Sequence, residues 1–220
     1  MDALRQLGSA SDRGSTARSA AAPVAGMSAA AAAGTATAAV AVVAAALLAC
    51  TSARAASIET LSTRKDGDRY SVVLRAHLDV PAAAAYAVFA DVSNWRRLSP
   101  DLHQLQVIAR RPGGVELSTG FQACVLWFCR LVRGVPEVSF AKISGGGDIE
   151  IVFRPNVGDL RSGRAHWRFR AAGSGTELQC DAYAEPAFLV PPLIGTWLIE
   201  RWLRTQATGT SANIEALARR

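Results

Sequence analysis

From Tyr70 to Val80 the chain alternates without a slip. Tyr70, Val72, Leu74, Ala76, Leu78 and Val80 fall on one side, and Ser71, Val73, Arg75, His77 and Asp79 on the other. Successive side chains of a strand point to opposite faces, so this pattern predicts a half-buried strand. Pro81 then opens PAAAAYAVFADV, where proline at a first helical position and a run of alanine predict a helix. SNWRRLSP follows as a short turn or second helix, ended by Pro100. Beyond it the period returns to two. Leu105, Val107 and Ala109 run to a Pro-Gly-Gly turn, and Val115, Leu117, Thr119, Phe121 and Ala123 lead to the hexapeptide CVLWFC. Arg130 to Ile143 is read as one strand with a bulge or edge at Pro136, because proline cannot donate to a ladder. Ile149, Ile151 and Phe153 form another strand. Ala165, Trp167, Phe169 and Ala171 alternate with Arg164, His166, Arg168 and Arg170, and Leu178, Cys180, Ala182 and Ala184 make the last alternating face.

After Pro191-Pro192 apolar residues recur four apart (Leu193/Trp197, Ile194/Leu198, Leu198/Trp202, Ile199/Leu203), the stripe of a long helix that continues through Ile214 and Leu217. Helices at the two ends of a strand meander predict an α+β domain. A curved antiparallel sheet of about seven strands wraps around the C-terminal helix. Where a curved sheet and a helix do not meet, a ligand cavity is the natural consequence.

Residues 1–55 have a different character. They hold four arginines and two aspartates, no aromatic residue, and are dominated by Ala, Ser, Thr and Gly. Ala38 to Ala49 (AAVAVVAAALLA) is a continuous apolar run followed by Ala53-Arg54-Ala55, the form of a secretory h-region and small-x-small cleavage site. Leu47-Leu48-Ala49-Cys50 also resembles a lipobox, in which Cys50 would be lipidated, and an uncleaved membrane anchor is the third reading. The division expected is therefore an N-terminal export signal or membrane anchor over 1–55, a linker over 56–69 and a ligand-binding domain over 70–218. All three readings of the leader export the domain to the periplasm, free or membrane-anchored. Of the net charge of +6 the leader carries +2, leaving 20 basic against 16 acidic residues. A surplus of four without clustered Lys and Arg is compatible with an anionic membrane surface and argues against a nucleic-acid partner.

Three stretches carry a resemblance: VVLRAHLDVPAAAAYAVFADVSNWRRLSPDL, FRPNVGDLRSGRAHWRFRAAGSGTELQCDAYAEP and PPLIGTWLIERWL. In that order they resemble the helix-grip fold of the START-like, or polyketide cyclase/dehydrase and lipid-transport, superfamily, over roughly Ser71 to Leu217. The nearest likeness is to exported bacterial members of the coenzyme Q-binding START-like group. The resemblance implies a hydrophobic cavity between the sheet and the final helix. It implies less about chemistry, since carriers, cyclases and hydrolases share the fold.

The hexapeptide has its own consequence. In one continuous strand Cys124 and Cys129 would lie about 17 Å apart, beyond disulfide reach. As the ends of successive antiparallel strands they face each other, and Val125, Leu126, Trp127 and Phe128 become a four-residue hairpin loop. The expectation is a Cys124–Cys129 disulfide clamping an apolar tip that dips into a membrane or lids the cavity, with packing onto the last helix as the alternative.

Phe121, Phe153, Trp167, Phe169, Trp197 and Trp202 are the candidates for lining the cavity. His77, His103 and His166 all fall on polar faces, and no nucleophile–base grouping, metal-spaced cluster or phosphate-cradling glycine loop appears. No catalytic residue, cofactor or metal is therefore assigned. The function expected is an exported, monomeric carrier for a hydrophobic small molecule: a lipid, a quinone or a polyketide-like compound. The alternatives are an enzyme of cyclase, dehydratase or hydrolase type on the same fold, and a membrane-associated interaction module.

Overall fold

A computed structural model describes residues 56–191 and 195–220. Its strands are β1 (Ser57–Asp66), β2 (Arg69–Leu78), β3 (Leu102–Arg111), β4 (Gly114–Val125), β5 (Phe128–Gly134), β6 (Pro136–Ile143), β7 (Gly146–Phe153), β8 (Leu160–Ala172) and β9 (Gly175–Pro186). The helices are α1 (Ala82–Ala90), the one-turn α2 (Trp95–Leu98) and the long α3 (Thr196–Ala218), with a 3-10 turn over Val92–Asn94. One antiparallel sheet has the order β1-β2-β9-β8-β7-β6-β4-β3, and β5 pairs with β4 beyond the end of β6. This is the α+β helix-grip architecture. Among the described residues no helix is long and apolar enough to cross a membrane; the leader readings, Cys50 included, lie outside the described residues.

The 56–69 segment is corrected from linker to strand. β1 pairs with β2 along its length, and Leu61 is buried opposite Leu74. Its alternation escapes notice in the sequence because a bulge between Ile58 and Thr60 places Ile58 and Leu61, three apart, against the core, with only threonine and lysine continuing the face. The sheet accordingly has nine strands where about seven were expected, the other addition being a division at Pro136. That division is a break without a slip: Glu116 pairs with Glu137 and Thr119 with Gly134, so β5 and β6 keep one register against β4. β3 is also irregular. Bulges at Leu102/Gln104 and Val107/Ala109 interrupt its pairing and move Ala109 opposite Glu116, while Val107 stays opposite the buried Leu117 and is exposed because β3 is an edge strand.

α1 buries Ala82, Ala85, Tyr86 and Phe89, spaced three and four apart, on the sheet. Its closeness is set by Gly147, where an added Cβ would collide with the Tyr86 ring. Phe89 meets Phe169 at 5.6 Å and Trp167 at 5.0 Å between ring centroids. α3 runs unbroken past Gly209, which faces solvent. Near its end the buried Glu215 accepts a hydrogen bond from the Asp79 amide at 2.6 Å and pairs with Arg219 at 3.2 Å. Asn213 Nδ2 donates to the Leu98 carbonyl at 3.1 Å, tying α3 to α2.

Candidate functional site: an apolar cavity beneath the last helix

Between the inner face of the sheet and α3 lies a cavity of about 380 Å³. This is within the range of about 300–1,000 Å³ typical of small-molecule sites. Its walls come from many strands because one face of the sheet supplies every second residue: Val72 and Leu74, Thr119 and Phe121, Ile151 and Phe153, then Ala165 and Trp167. Leu178, Cys180 and Ala182 continue the wall on β9, and α3 closes it with Leu203, Gln206, Ala207, Thr210 and Ser211.

Side-chain size explains why a space remains. Ala165 pairs with Ala182 and Trp167 with Cys180, so small residues occupy the middle of the wall. Facing them, α3 offers Ala207 and Ser211. Close packing is the default for a protein interior, and small side chains on both sides of the layer prevent it here.

The lining contains no Asp, Glu, His, Lys, Arg or Tyr among the described residues. Its one titratable group is the thiol of Cys180. Burial, reinforced by Asp181, pushes that thiol far up, so it stays protonated and behaves as a small apolar wall residue. Thr119 satisfies its hydroxyl on the Gly134 carbonyl at 3.2 Å. Nearby, Thr63 Oγ1 and Tyr70 Oη are buried with no hydrogen-bond partner among the described residues. They are on the inner face but are not part of the wall.

The sequence candidates separate into groups. Phe121, Phe153 and Trp167 line the cavity. Phe169 does not; it is fully buried in the packed core against Tyr86 and Phe89. Trp202 is half-buried and meets Phe121 edge-on at 5.7 Å, standing behind the wall. Trp197 points to solvent, because the apolar stripe of α3 is centred on Leu198. Trp95, which the sequence places at the connection near the cavity mouth, does line the cavity, whereas Phe89 and Leu98 on α1 and α2 and Leu61 on β1 escape sequence reasoning. The Leu203/Ala207/Ser211 spacing was the available signal for the helix wall.

At the hairpin, Cys124 and Cys129 are paired and disulfide-bonded, with a Cα separation of 4.1 Å. The four-residue loop is corrected to two residues. Val125 pairs with Phe128 and both are half-buried, leaving Leu126 and Trp127 as an exposed turn. Leu126 takes a left-handed φ of 56°, a region a bulky side chain seldom adopts. The tip does not fold onto the last helix as core.

The basic ladder of β8 is neutralised across strands. Arg170 pairs with Asp148 at 2.7 Å, Arg168 with Asp181 and Arg164 with Glu150. These residues face outward, away from the cavity.

With this geometry in place, the comparisons are specific. Residues 78–209 match the family model described as polyketide cyclase / dehydrase and lipid transport, and the chain belongs to that family. No curated protein sequence matches the chain. Among solved structures, the STAR-related lipid transfer protein from Xanthomonas axonopodis is similar at TM-score 0.53 and 15% identity, covering 73% of this chain and 99% of the other. The Zhui aromatase/cyclase from a Streptomyces species is similar at TM-score 0.54 and 12% identity, covering 69% and 94%. A protein from Thermus thermophilus is similar at TM-score 0.55 and 15% identity, covering 67% and 96%. At such identities the likeness establishes the START-like fold. The family spans hydrophobic-ligand binding and cyclase chemistry.

Proposed function

We propose that this chain is an exported carrier that holds an uncharged hydrophobic small molecule, such as a lipid, quinone or polyketide-like compound, and exchanges it at a membrane surface. The observation that carries the reading is the composition of the cavity wall. Burial of apolar area contributes about 25 cal/mol per Å² and requires no chemistry from the wall. An enzyme would need a positioned acid or base with its pKa suited to the reaction. The only titratable wall group among the described residues, Cys180, is a thiol held in its protonated form. Charged ligands are disfavoured for the same reason, because no side chain in the wall could pair with a buried charge. Export is supported by the leader pattern and by the Cys124–Cys129 bond, since disulfides persist in oxidising compartments.

Native mass spectrometry of the full-length product, expressed with export and purified in mild detergent, tests this. A neutral bound mass that organic solvent removes supports the carrier. A protein that stays empty after incubation with membrane extract, or one that converts an added substrate, overturns it. The intact mass in the same spectrum reports whether the mature chain begins at Cys50, Ala56 or upstream.

A further inference from the structure

Four large apolar side chains stand out among the described residues for their exposure: Leu189 at 82%, Trp127 at 78%, Trp197 at 65% and Leu126 at 60%. They come from three separate segments, the β4–β5 turn, the stretch after β9 and the first turn of α3, and the topology places these toward one end of the domain. The β4–β5 hairpin continues past the break at Pro136, so its Leu126-Trp127 turn projects beyond the ends of β6 and β7. α3 meets Phe121 through Trp202 and Leu98 through Asn213, so it runs away from the hairpin tip and its first turn, with Trp197, lies toward that tip. Leu189 belongs to the segment after β9. Its neighbour Phe188 lies under the Arg130 guanidinium at 4.1 Å, and the Ala187 amide donates to the Asp159 carbonyl at 2.9 Å.

We propose that this end is a docking surface for a lipid bilayer, with Leu126 and Trp127 as the inserting wedge and Trp197 and Leu189 at headgroup depth. The proposal supplies the membrane step of the carrier reading and rests on that reading only for its purpose. The shape and chemistry select lipid over protein. A two-residue turn held by a disulfide is narrow, and it would penetrate a soft interface more readily than it would cover the broad, flat patch typical of a protein contact. Tryptophan favours the interfacial zone, where its ring is buried and its N–H stays hydrated. Behind the tip the Arg130 guanidinium pairs with Asp159 at 3.1 Å, the same carboxylate accepts the Arg133 backbone amide at 2.8 Å, and the Arg133 guanidinium has no ion-pair partner among the described residues. One positive charge is left over, which suits an anionic leaflet. The cavity end formed by Phe121, Phe153 and Ala182 is on this side of the sheet, so a docked carrier would turn that end toward the bilayer.

The test is sedimentation of the full-length exported protein with 100 nm vesicles of phosphatidylcholine and phosphatidylglycerol, beside phosphatidylcholine alone. The expected result is binding that falls about tenfold in Trp127→Ser and further in Leu126→Ser/Trp127→Ser, with a smaller loss in Trp197→Ser. Ile108→Ser, an exposed apolar position on β3, should bind as the parent does. Binding should also be severalfold stronger with the anionic lipid. Equal sedimentation of parent and tip variants overturns the proposal, as does an equal loss in Ile108→Ser. So does a parent that ignores both vesicles, including the case in which the tip instead cross-links to a membrane protein. Native mass spectrometry of Leu126→Ser/Trp127→Ser keeps the two readings apart. A retained apolar ligand with lost vesicle binding places the fault in docking alone, and an empty parent places it in the carrier reading.

Discussion

The same sheet face is solid at one end and hollow at the other. Under α1, Tyr86, Phe169 and Ile149 fill the layer, joined from α3 by Ile214, with Phe89 and Leu178 at the border where the cavity begins. Toward Phe121, Phe153 and Ala182, α3 covers the strands with α2 at the side, and the facing residues include Ala165, Ala182, Cys180 and Ala207. One backbone architecture thus holds a packed core and a vacant one, and side-chain volume at a few positions decides which is which. The packed half stabilises the fold and the hollow half is left free for a ligand.

Four substitutions break or sharpen that contrast. Phe169→Ala should cost about 3–5 kcal/mol in chemical unfolding, since its pocket is fully enclosed and cannot collapse. Ala182→Phe, in the hollow half, should leave stability within about 1 kcal/mol, because there is room for the ring, while apolar probe binding falls at least about tenfold. If Ala182→Phe unfolds the protein as Phe169→Ala does, the two halves are not different in kind.

Asp159 comes next. The Arg133 amide, and after it the Arg130 guanidinium, holds its carboxyl below the ordinary carboxylate range. A lowered folded pKa stabilises above the unfolded value of about 3.9, and this contribution is lost as pH falls through the folded value. Asp159→Asn should therefore cost about 1–2 kcal/mol at neutral pH. It should also flatten the fall in thermal stability on acidification below about pH 4, with the tip end affected and the packed half untouched by hydrogen exchange. The smallest effect is expected at Tyr70→Phe. Removing a buried hydroxyl that has no partner should raise stability by up to about 1 kcal/mol, and a loss instead would show that the hydroxyl is satisfied in solution.

Much of the fold was legible. Tyr70 to Val80 and the β8 and β9 faces alternate cleanly because each has one buried side, and the tight turn at Gly173 sets Arg170 opposite Glu177 and His166 opposite Asp181. β1 is not legible because a bulge breaks its period, whereas Val107 keeps the inward side its period gives it, opposite Leu117, and is exposed only because β3 is an edge strand. The cavity wall was half legible. Period two assigns Trp167 and Phe169 to one face alike, and only the position of α1 makes one a wall residue and the other core. Trp197 and Trp202 likewise share a helix, and the packing angle of α3 exposes the first.

By itself, then, the chain determined its class of elements, their order, the inward faces and the cysteine pairing, because these depend on local period and turn chemistry. The tertiary structure decided where that inward face is filled and where it is empty. It also decided which apolar side chains stay exposed, the Leu126-Trp127 turn and Trp197 among them. Both are set by distances between elements remote in sequence, and no local pattern encodes them.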